Sequence, residues 1–473
     1  MGIADIADQI ARVVDDTQSG AKELLEPVVR IGVTGLSRAG KTVFITSLIA
    51  NLLDRTRMPQ LKAEAEGRIA AAFLQPQPDD TIPRFAYEPH LRVLSSPTPY
   101  WPESTSSISQ LRLSLRLRPV GLLRAVRGLK TLHIDIVDYP GEWLLDLPLM
   151  KQSYQEWSEQ VFEQAKAAAR GGLAADWLAD TAAQDPTAKL EEPTAQQLAA
   201  AFTAYLQAAR AAGFSNCAPG RFLLPGDLKG SPVLTFAPLP RPAKVRSGTL
   251  YGAFERRFEA YKKQVVRPFF RDHFAKIDRQ IVLVDALGAI HNGPPAVEDL
   301  RAALAAILPS FRPGKNHFLS MLTGKKVEKI LFAATKADHI HHSQHPQLTG
   351  FLEALLSDAK DTANWKGAQT QALSLAALRA TVEQTVQHEG APLDLVRGTL
   401  LKSGKEVALH PGDLPADPAR LLSPAQQGVA EWPDDIDYNL PNFAPPKAGE
   451  KAPHGLAHIR MDRAVQFLLG DKL

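Results

Sequence analysis

Residues 35–42 of this 473-residue chain are Gly35-Leu-Ser-Arg-Ala-Gly40-Lys41-Thr42 and match the pattern G-x-x-x-x-G-K-[ST]. The apolar run at residues 28–34 predicts a buried strand before the match, and residues 42–53 predict an apolar helix after it. A preceding strand and a following helix are the context in which this pattern forms a phosphate-binding loop. The sequence therefore predicts that this segment, called the P-loop below, binds the phosphates of a nucleotide.

The residues of the P-loop are expected to have different tasks. Glycines allow backbone N–H groups to curl around phosphate oxygens, the Lys41 ammonium bridges the β- and γ-phosphates, and the Thr42 hydroxyl is a ligand for Mg²⁺. Two interpretations of Arg38 stay open: it supplies charge to the γ-phosphate or a partner, or it points outward. The predicted phosphate-binding residues of the loop are Gly35, Ser37, Arg38, Ala39, Gly40, Lys41 and Thr42.

A second motif follows a pair of predicted strands. Residues 108–117 and 131–137 alternate apolar and polar positions, and the short connection between them favours antiparallel pairing over a parallel crossover. The second strand leads into Asp138-Tyr-Pro-Gly141, a D-x-x-G pattern. A carboxylate at this position can hold Mg²⁺ through water, and the Gly141 N–H can bind the γ-phosphate. This placement after the P-loop makes an otherwise weak pattern informative.

A third motif bears on the identity of the base. Thr335-Lys336-Ala337-Asp338 ends a predicted strand at residues 329–334 and resembles N-K-x-D. The Asp338 carboxylate can accept hydrogen bonds from the N1 and N2 groups of guanine, which adenine lacks as donors, and the Lys336 stem can cover the base. Thr335 stands where the pattern has asparagine. The alternative interpretation is an ordinary turn in which Asp338 caps a helix.

A weaker signal lies at the last strand of the predicted sheet. Residues 373–377 end in Ala376 and Ala377, in the place of a loop whose backbone N–H groups face the guanine oxygen. Thr335, Lys336, Asp338, Ala376 and Ala377 are therefore the predicted base-binding residues.

The motifs W-P-x-S-T at residues 101–105, D-Y-P-G-E-W at residues 138–143 and T-K-A-D at residues 335–338 resemble those of the YcjX-like, stress-associated family of bacterial Ras-like P-loop GTPases. The resemblance covers most of the chain. It implies an α/β fold, with the mixed sheet of a Ras-like P-loop NTPase flanked by helices and interrupted by a large helical insert. It also implies GTP and GDP binding with Mg²⁺, a link to bacterial stress, and a protein effector, with a membrane protein as one candidate partner.

The resemblance also assigns residues to hydrolysis. Thr105 is the expected switch threonine and a second protein ligand of Mg²⁺, with Thr98, Ser104 and Ser106 as neighbouring alternatives. Glu142 stands where Ras-like proteins often have a glutamine that orients the attacking water. A carboxylate there repels the γ-phosphate, so slow hydrolysis is expected. Lys41, Glu142 and Thr105 are the predicted catalytic residues; Thr42, Asp138 and Thr105 are the predicted metal ligands.

Hydrophobic periodicity divides the chain into five parts. Residues 1–27 predict an amphipathic helix, residues 28–146 the first half of the GTPase core, and residues 147–279, where the period becomes helical, the insert. Strand and helix signals return in residues 280–390, the second half of the core. A β-hairpin around Ser403 and Gly404 and a C-terminal extension, with a short helix at residues 461–469, follow in residues 391–473.

Composition excludes several classes of protein. The formal net charge of +3 gives no electrostatic signature for nucleic acid. A lone cysteine, Cys217, excludes an internal disulfide framework and suits the cytoplasm. Apolar runs are too short to span a membrane, so membrane association is expected only at the periphery, through a partner. The histidines at residues 339, 341, 342 and 345 are expected on the surface near the base rather than around a metal.

The sequence thus favours a GTP-binding switch with slow hydrolysis. Two alternatives remain. A P-loop ATPase requires that Thr335 to Asp338 do not face the base. A nucleotide-loaded scaffold, acting through its helical insert with negligible turnover, requires no response of the loop at residues 95–106 to the γ-phosphate.

Overall fold

The computed structural model describes residues 26–36, 38–103, 107–119, 129–311, 327–361, 368–433, 438, 440–447 and 455–473. Two predicted site residues, Ser37 and Thr105, lie outside these ranges, as do the first 25 of the 27 residues of the predicted N-terminal helix.

A seven-stranded mixed sheet forms the centre of the molecule, with the strand order β2-β3-β4-β1-β5-β6-β7. Strands β4, β1, β5, β6 and β7 run parallel, while β3 is antiparallel to both β2 and β4. The strands are β1 (Val28–Gly35), β2 (Ile69–Gln75), β3 (Ser109–Leu117), β4 (Lys130–Asp138), β5 (Arg279–Val284), β6 (Lys329–Ala334) and β7 (Gln369–Ser374).

The predicted antiparallel pair is confirmed as β3 and β4, in register from Ser109 opposite Asp138 to Leu117 opposite Lys130. Strand β2 was not predicted. Its sequence, Ile-Ala-Ala-Ala-Phe-Leu-Gln, has neither clear alternation nor β-branched residues beyond its first position, and it lies half-buried at the sheet edge. Pairing with β3 rather than its own propensity explains why this segment is extended.

Helices cover both faces of the sheet and form most of the segment between β4 and β5. Shorter 3₁₀ segments join several of them, the longest at Gly141–Lys151. The α-helices are α1 (Lys41–Leu53), α2 (Lys62–Ala65), α3 (Tyr87–Leu94), α4 (Tyr154–Lys166), α5 (Ala168–Ala182), α6 (Glu192–Ala211), α7 (Gly220–Leu223), α8 (Leu250–Tyr261), α9 (Arg267–Asp272), α10 (Ala286–His291), α11 (Pro294–Ile307), α12 (His345–Asp361), α13 (Ala419–Gln426) and α14 (Met461–Leu469).

The two faces of the sheet belong to two hydrophobic cores because side chains alternate along each strand. On β5, Ile281 and Leu283 join the core formed with α1 and α14, whereas Val282 and Val284 join the core formed with α11 and α12. Burial on both faces accounts for the continuous apolar sequence of the parallel strands. This is the fold class of Ras-like P-loop NTPases predicted from the sequence.

The chain between β4 and β5 is mainly helical, as its periodicity predicts. Its core is aromatic: Trp157 on α4 stacks on Phe258 of α8 with ring centroids 5.1 Å apart, and Trp177 of α5 stacks on Tyr205 of α6 at 5.2 Å. Such pairs add about 0.5–1.5 kcal/mol each beyond the burial of their area. The same hydrophobic cluster continues onto the sheet, so the helical segment is packed against the strands.

The C-terminal part adds a second, three-stranded antiparallel sheet in the order β10-β9-β8, with β8 (Val382–His388), β9 (Ala391–Thr399) and β10 (Glu406–Leu409). The turn between β9 and β10 contains the predicted hairpin residues Ser403 and Gly404. Strand β8 was not predicted because its sequence is mostly polar and exposed. In the part of the chain that the structure describes, no helix is long and apolar enough to cross a membrane.

Buried Asp146 should make the stability of the protein depend on pH. Its carboxylate accepts hydrogen bonds from the Tyr261 hydroxyl at 2.6 Å and the Gly220 N–H at 2.7 Å, but burial raises the pKa of Asp146 to about 7. The unfolded carboxyl ionises near its ordinary value, so the folded state binds more protons between about pH 4 and pH 7. Stability therefore falls as pH rises through this window, by up to about 1.4 kcal/mol per unit.

The substitution Asp146→Asn should remove this contribution. In urea unfolding at a series of pH values, we expect the wild type to lose roughly 2–3 kcal/mol relative to the variant between about pH 5 and pH 7. Asp176→Asn, on the exposed side of α5, serves as the matched control and should follow the wild type. If the free energies of unfolding of Asp146→Asn and the wild type changed equally with pH, Asp146 would be ionised in the folded protein and the prediction would be wrong.

Candidate functional site

A cavity of about 670 Å³ opens at the carboxyl edge of the parallel strands. Its lining includes the P-loop, Glu142, residues of the T-K-A-D motif, and Ala376 and Ala377. Loops at this edge of a parallel sheet are where ligands bind in open α/β folds. The structure therefore brings the described residues of the P-loop and the predicted base-binding residues to one continuous cavity.

The P-loop, of which the structure describes every residue but Ser37, joins the end of β1 to the start of α1 as predicted. Gly40 immediately precedes the first residue of α1. Its φ of 75° lies in the left-handed region, which glycine adopts without strain. Arg38 also has positive φ, 64°. Within the described residues no side chain caps the first turn of α1, and that turn contains no acidic residue. The positive end of the helix dipole thus lies at the cavity, where it favours an anion.

Lys41 and Asp138 form an ion pair between their Nζ and Oδ1 atoms, with the carboxylate almost completely buried. The pair is set by strand register, since Val33 of β1 lies beside Asp138 of β4. The Thr42 hydroxyl, on the next residue, donates to the Glu103 carbonyl at 3.4 Å. Hydroxyl, carbonyl and carboxylate oxygens are the donors that Mg²⁺ prefers, so this corner of the cavity fits that ion chemically.

Gly141 lies directly against the P-loop. A Cβ atom at Gly141 would overlap the carbonyl group of Gly35, so only glycine permits this approach of the two backbones. The contact places the N–H of the D-x-x-G motif beside the phosphate-binding loop. Packing against the P-loop is therefore sufficient to explain why the D-x-x-G motif has glycine at this position.

Glu142 is buried and forms an ion pair with Arg210, with 2.7 Å between its Oε1 and the arginine Nη2. Arg210 belongs to the last turn of α6 in the helical segment and also lines the cavity. The next residue, Ala211, accepts a hydrogen bond from the Arg38 guanidinium at 2.9 Å. The C-terminus of α6 is therefore docked on the P-loop. Sequence analysis missed Arg210 because no local pattern links it to a motif 68 residues earlier.

Asp338 lies in a 3₁₀ turn. Its Oδ2 atom accepts a hydrogen bond from the Ala380 N–H at 2.7 Å. The alternative interpretation of Asp338 as a helix cap is wrong, because that carboxylate is engaged with the loop after β7 and still lines the cavity. Lys336 has φ of 60° and its Nζ contacts Asp285 Oδ2 at 2.5 Å. Thr335 donates backbone and hydroxyl hydrogen bonds to the Val284 carbonyl at 2.9 and 3.3 Å.

One wall of the cavity comes from the C-terminal extension and was not predicted. It consists of Leu401, Lys402, Asn442 and Phe443. The indole of Trp101, in the W-P-x-S-T motif, donates to the Phe443 carbonyl at 2.8 Å, and the Phe443 ring packs edge-on against His339 at 5.0 Å. This wall joins the expected switch loop to the base-binding motif. The wall was not predicted because its residues lie far from the P-loop in the sequence.

The expectation that the four histidines lie on the surface is wrong for three of them. His339, His341 and His345 are buried, and only His342 is exposed. The start of α12 folds back on the base-binding turn, where His345 Nε2 contacts the Ala337 carbonyl at 2.7 Å. Burial lowers the pKa of His339 and His345. The packing of this turn, rather than exposure, explains the cluster.

The sheet and the residues at its carboxyl edge define the class of Ras-like P-loop NTPases. Comparison with known proteins is more specific. The sequence profile of the YcjX-like family matches residues 29–473, and the chain belongs to that family.

Two curated proteins illustrate the similarity. A protein of Escherichia coli K12 named Ras-like GTPase YcjX is 38% identical over 457 residues, covering 94% of this chain and 96% of that protein. A protein of the same name from Shewanella oneidensis MR-1 is 34% identical over 496 residues and covers all of both chains. The similarity thus extends over the helical segment and the C-terminal extension as well as the sheet.

Replacing Gly141 with alanine should distort the cavity. The added methyl group would collide with the P-loop backbone, and overpacking of this kind costs about 1–3 kcal/mol. Gly172→Ala is the matched control, because a Cβ at Gly172 on α5 meets open space and should stabilise the helix by about 0.5–1 kcal/mol. Urea unfolding measures both. Equal stability of Gly141→Ala and the wild type would contradict the close approach.

Proposed function

We propose that this protein is a GTP- and GDP-binding switch of the Ras-like type that hydrolyses GTP slowly with Mg²⁺. One observation carries the proposal: a single cavity contains both the P-loop and the Asp338 carboxylate, with Glu142 at its edge. The names of the two relatives, which describe Ras-like GTPases, support the assignment. The phosphate-binding residues are those of the P-loop, Ser37 included, together with Gly141.

Guanine selection is assigned to Asp338. The Ala380 N–H holds Oδ2 of its carboxylate, which leaves the remaining lone pairs to accept from guanine N1 and N2. Adenine has an unprotonated N1 and would leave the Asp338 carboxylate without hydrogen bonds. The free energy lost in this way makes the site select guanine over adenine. Thr335 and the Lys336 stem complete the side of the base. The Ala376 N–H donates to the Ile459 carbonyl at 3.2 Å, so of the two predicted N–H groups only that of Ala377 is assigned to the guanine oxygen.

Metal binding is assigned to Thr42 and Asp138, with Thr105 as the switch ligand. Mg²⁺ would neutralise charge that develops on the β- and γ-phosphate oxygens. The Lys41–Asp138 ion pair meanwhile keeps a buried carboxylate compensated before nucleotide binds. Binding of a triphosphate gives Lys41 a new anionic partner and frees the carboxylate for the metal's water ligands.

Slow hydrolysis follows from the environment of Glu142. A buried carboxylate next to a γ-phosphate would raise the energy of the site, and its pairing with Arg210 compensates that charge. The same pairing holds the guanidinium at the edge of the cavity, from which it reaches the γ-phosphate only when it leaves Glu142. An arginine that reaches the γ-phosphate stabilises the transition state of such hydrolysis, so release of Arg210 from Glu142 would accelerate the reaction.

The wider role is also a proposal. We infer a function in bacterial stress from the resemblance of the sequence motifs, and we place it in the cytoplasm or at the membrane periphery through a protein partner. The helical segment is the expected surface for an effector. The domain boundaries predicted from the sequence, at residues 28, 147, 280 and 391, are retained in this proposal. A P-loop ATPase and a scaffold without turnover are the rival functions.

Nucleotide selectivity tests the proposal and its first rival. GTP should displace a fluorescent guanine nucleotide far more effectively than ATP does, and Asp338→Asn should shift preference toward xanthine nucleotides by at least about tenfold, since each hydrogen bond to a charged group contributes about 1.5–3 kcal/mol. Asp80→Asn, an exposed site, is the control. Equal competition by ATP, unchanged in Asp338→Asn, would favour the ATPase.

A double-mutant cycle tests the roles of Glu142 and Arg210 under single turnover. Arg210→Ala should slow GTP hydrolysis at least about tenfold, and Glu142→Gln should accelerate it by a similar factor because the guanidinium is released. That gain should disappear in the double variant. Arg246→Ala, exposed in the same helical segment, is the control.

Two further measurements separate catalysis from structure in this cycle. Arg210→Lys keeps the ion pair, so it should preserve stability but not the rate or the capture of GDP with aluminium fluoride. Guanine-nucleotide affinity measured on every variant shows whether binding survives. Rates of Arg210→Ala within twofold of the wild type would refute the catalytic role, and undetectable turnover throughout would favour the scaffold.

A further inference from the structure

A group of side chains outside the nucleotide cavity has the composition of a metal site. His341 and His342 follow the T-K-A-D motif by a few residues, and Glu383 projects from the start of β8 in the small sheet. One potential ligand atom from each of the three residues lies within 4.8 Å of the others. Nothing in the proposed chemistry of the nucleotide uses these residues.

The distances are close to those of a coordination shell. His342 Nδ1 lies 2.8 Å from Glu383 Oε2, and His341 Nε2 lies 3.9 Å from the same oxygen. With bonds of about 2.0–2.2 Å, two ligand atoms of a tetrahedral zinc ion are roughly 3.3–3.5 Å apart. Both observed separations differ from that value by less than an ångström. Small side-chain rotations would therefore suffice to surround an ion.

The orientation of His341 is the second observation. Its Nδ1 atom lies 3.0 Å from Asp394 Oδ2 on β9, and Thr385 donates to the other oxygen of Asp394 at 2.9 Å. The same Nδ1 contacts the Ser343 hydroxyl at 2.8 Å and the Ser343 N–H at 3.4 Å. These partners hold the ring through Nδ1 and turn Nε2 toward Glu383, and polar partners behind the ring are common in histidines that bind metals.

Ion pairing alone explains the cluster less completely. Arg379 Nη2 is 3.6 Å from Glu383 Oε1 and supplies one positive charge, but it approaches the oxygen that the histidines do not contact. The rings of His341 and His342 have centroids 4.3 Å apart. Imidazole nitrogens are the commonest metal ligands in proteins, and rings this close can bind one ion.

We propose that His341, His342 and Glu383 bind a divalent transition-metal ion, of which zinc is the best match, with water at the fourth position. Imidazole and carboxylate ligands with three protein donors suit zinc, whereas Mg²⁺ prefers oxygen ligands alone. The ion joins the loop after Asp338 to β8. Ala380 and Thr381, which immediately precede β8, bind the carboxylate and carbonyl of Asp338, so the metal fastens the two segments that hold the base-recognition residue.

Calorimetric titration of the chelator-treated, tag-free and nucleotide-free full chain with Zn²⁺ tests the site directly. We expect one ion per chain with a dissociation constant of about 10 μM or lower. His342→Ala and Glu383→Gln should each weaken binding at least about tenfold. His388→Ala, exposed at the other end of β8, is the matched control and should bind as the wild type does. Because His342 is exposed, its truncation should leave the fold intact, which circular dichroism can check.

Cobalt provides an independent readout of geometry. Co²⁺ added to the wild type should give the intense visible absorption of a four-coordinate site, and this band should be absent in His342→Ala. Binding of Zn²⁺ weaker than about 100 μM, binding unchanged in both variants, or only the faint spectrum of six-coordinate cobalt would overturn the proposal. All of these measurements are made without nucleotide. A negative result would therefore count against the metal site and not against the proposed GTP-binding function.

Discussion

The parallel register of β1 between β4 and β5 is the constraint on which the rest of the site depends. Val33 lies beside Asp138 and Gly35 beside Leu283, so the P-loop leaves the sheet between the D-x-x-G motif and the end of β5. Val284 in turn lies beside Ala334, which brings the T-K-A-D motif to the same edge. Backbone hydrogen bonds of a doubly buried sheet hold this register. Loops separated by about two hundred residues therefore meet without needing contacts of their own.

Ion pairs compensate the buried negative charges at the cavity. Two buried carboxylates, Asp138 and Glu142, each have a cationic partner, Lys41 and Arg210. Leaving either carboxylate unpaired would cost several kcal/mol, so each pair preserves the folded protein as well as preparing the site. The cations come from different sources: Lys41 from the P-loop and Arg210 from the helical segment. Under the proposed function, triphosphate binding would compete with both of these internal ion pairs.

Sequence reasoning recovered the parts of the fold that have a local pattern. The P-loop, the β3–β4 pair, β6 at residues 329–334 and α14 at residues 461–469 were predicted within a residue or two, because apolar periodicity and glycine positions are visible in short windows. Strands β2 and β8 were missed because neighbouring strands, rather than intrinsic propensity, hold them extended. Arg210, Asn442 and Phe443 could not be predicted, since their place in the cavity depends entirely on tertiary packing.

The wall formed by the C-terminal extension has a consequence for biosynthesis. A chain emerging from the ribosome acquires the P-loop first and Asp338 much later, but Asn442 and Phe443 close one side of the cavity only once synthesis has passed residue 443. Until then Trp101 has no Phe443 carbonyl to bind. Under the proposed function, a nucleotide bound before this wall is made would stay open to exchange with the surrounding pool. Enclosure of the nucleotide would then separate chains that contain the wall from chains truncated before it.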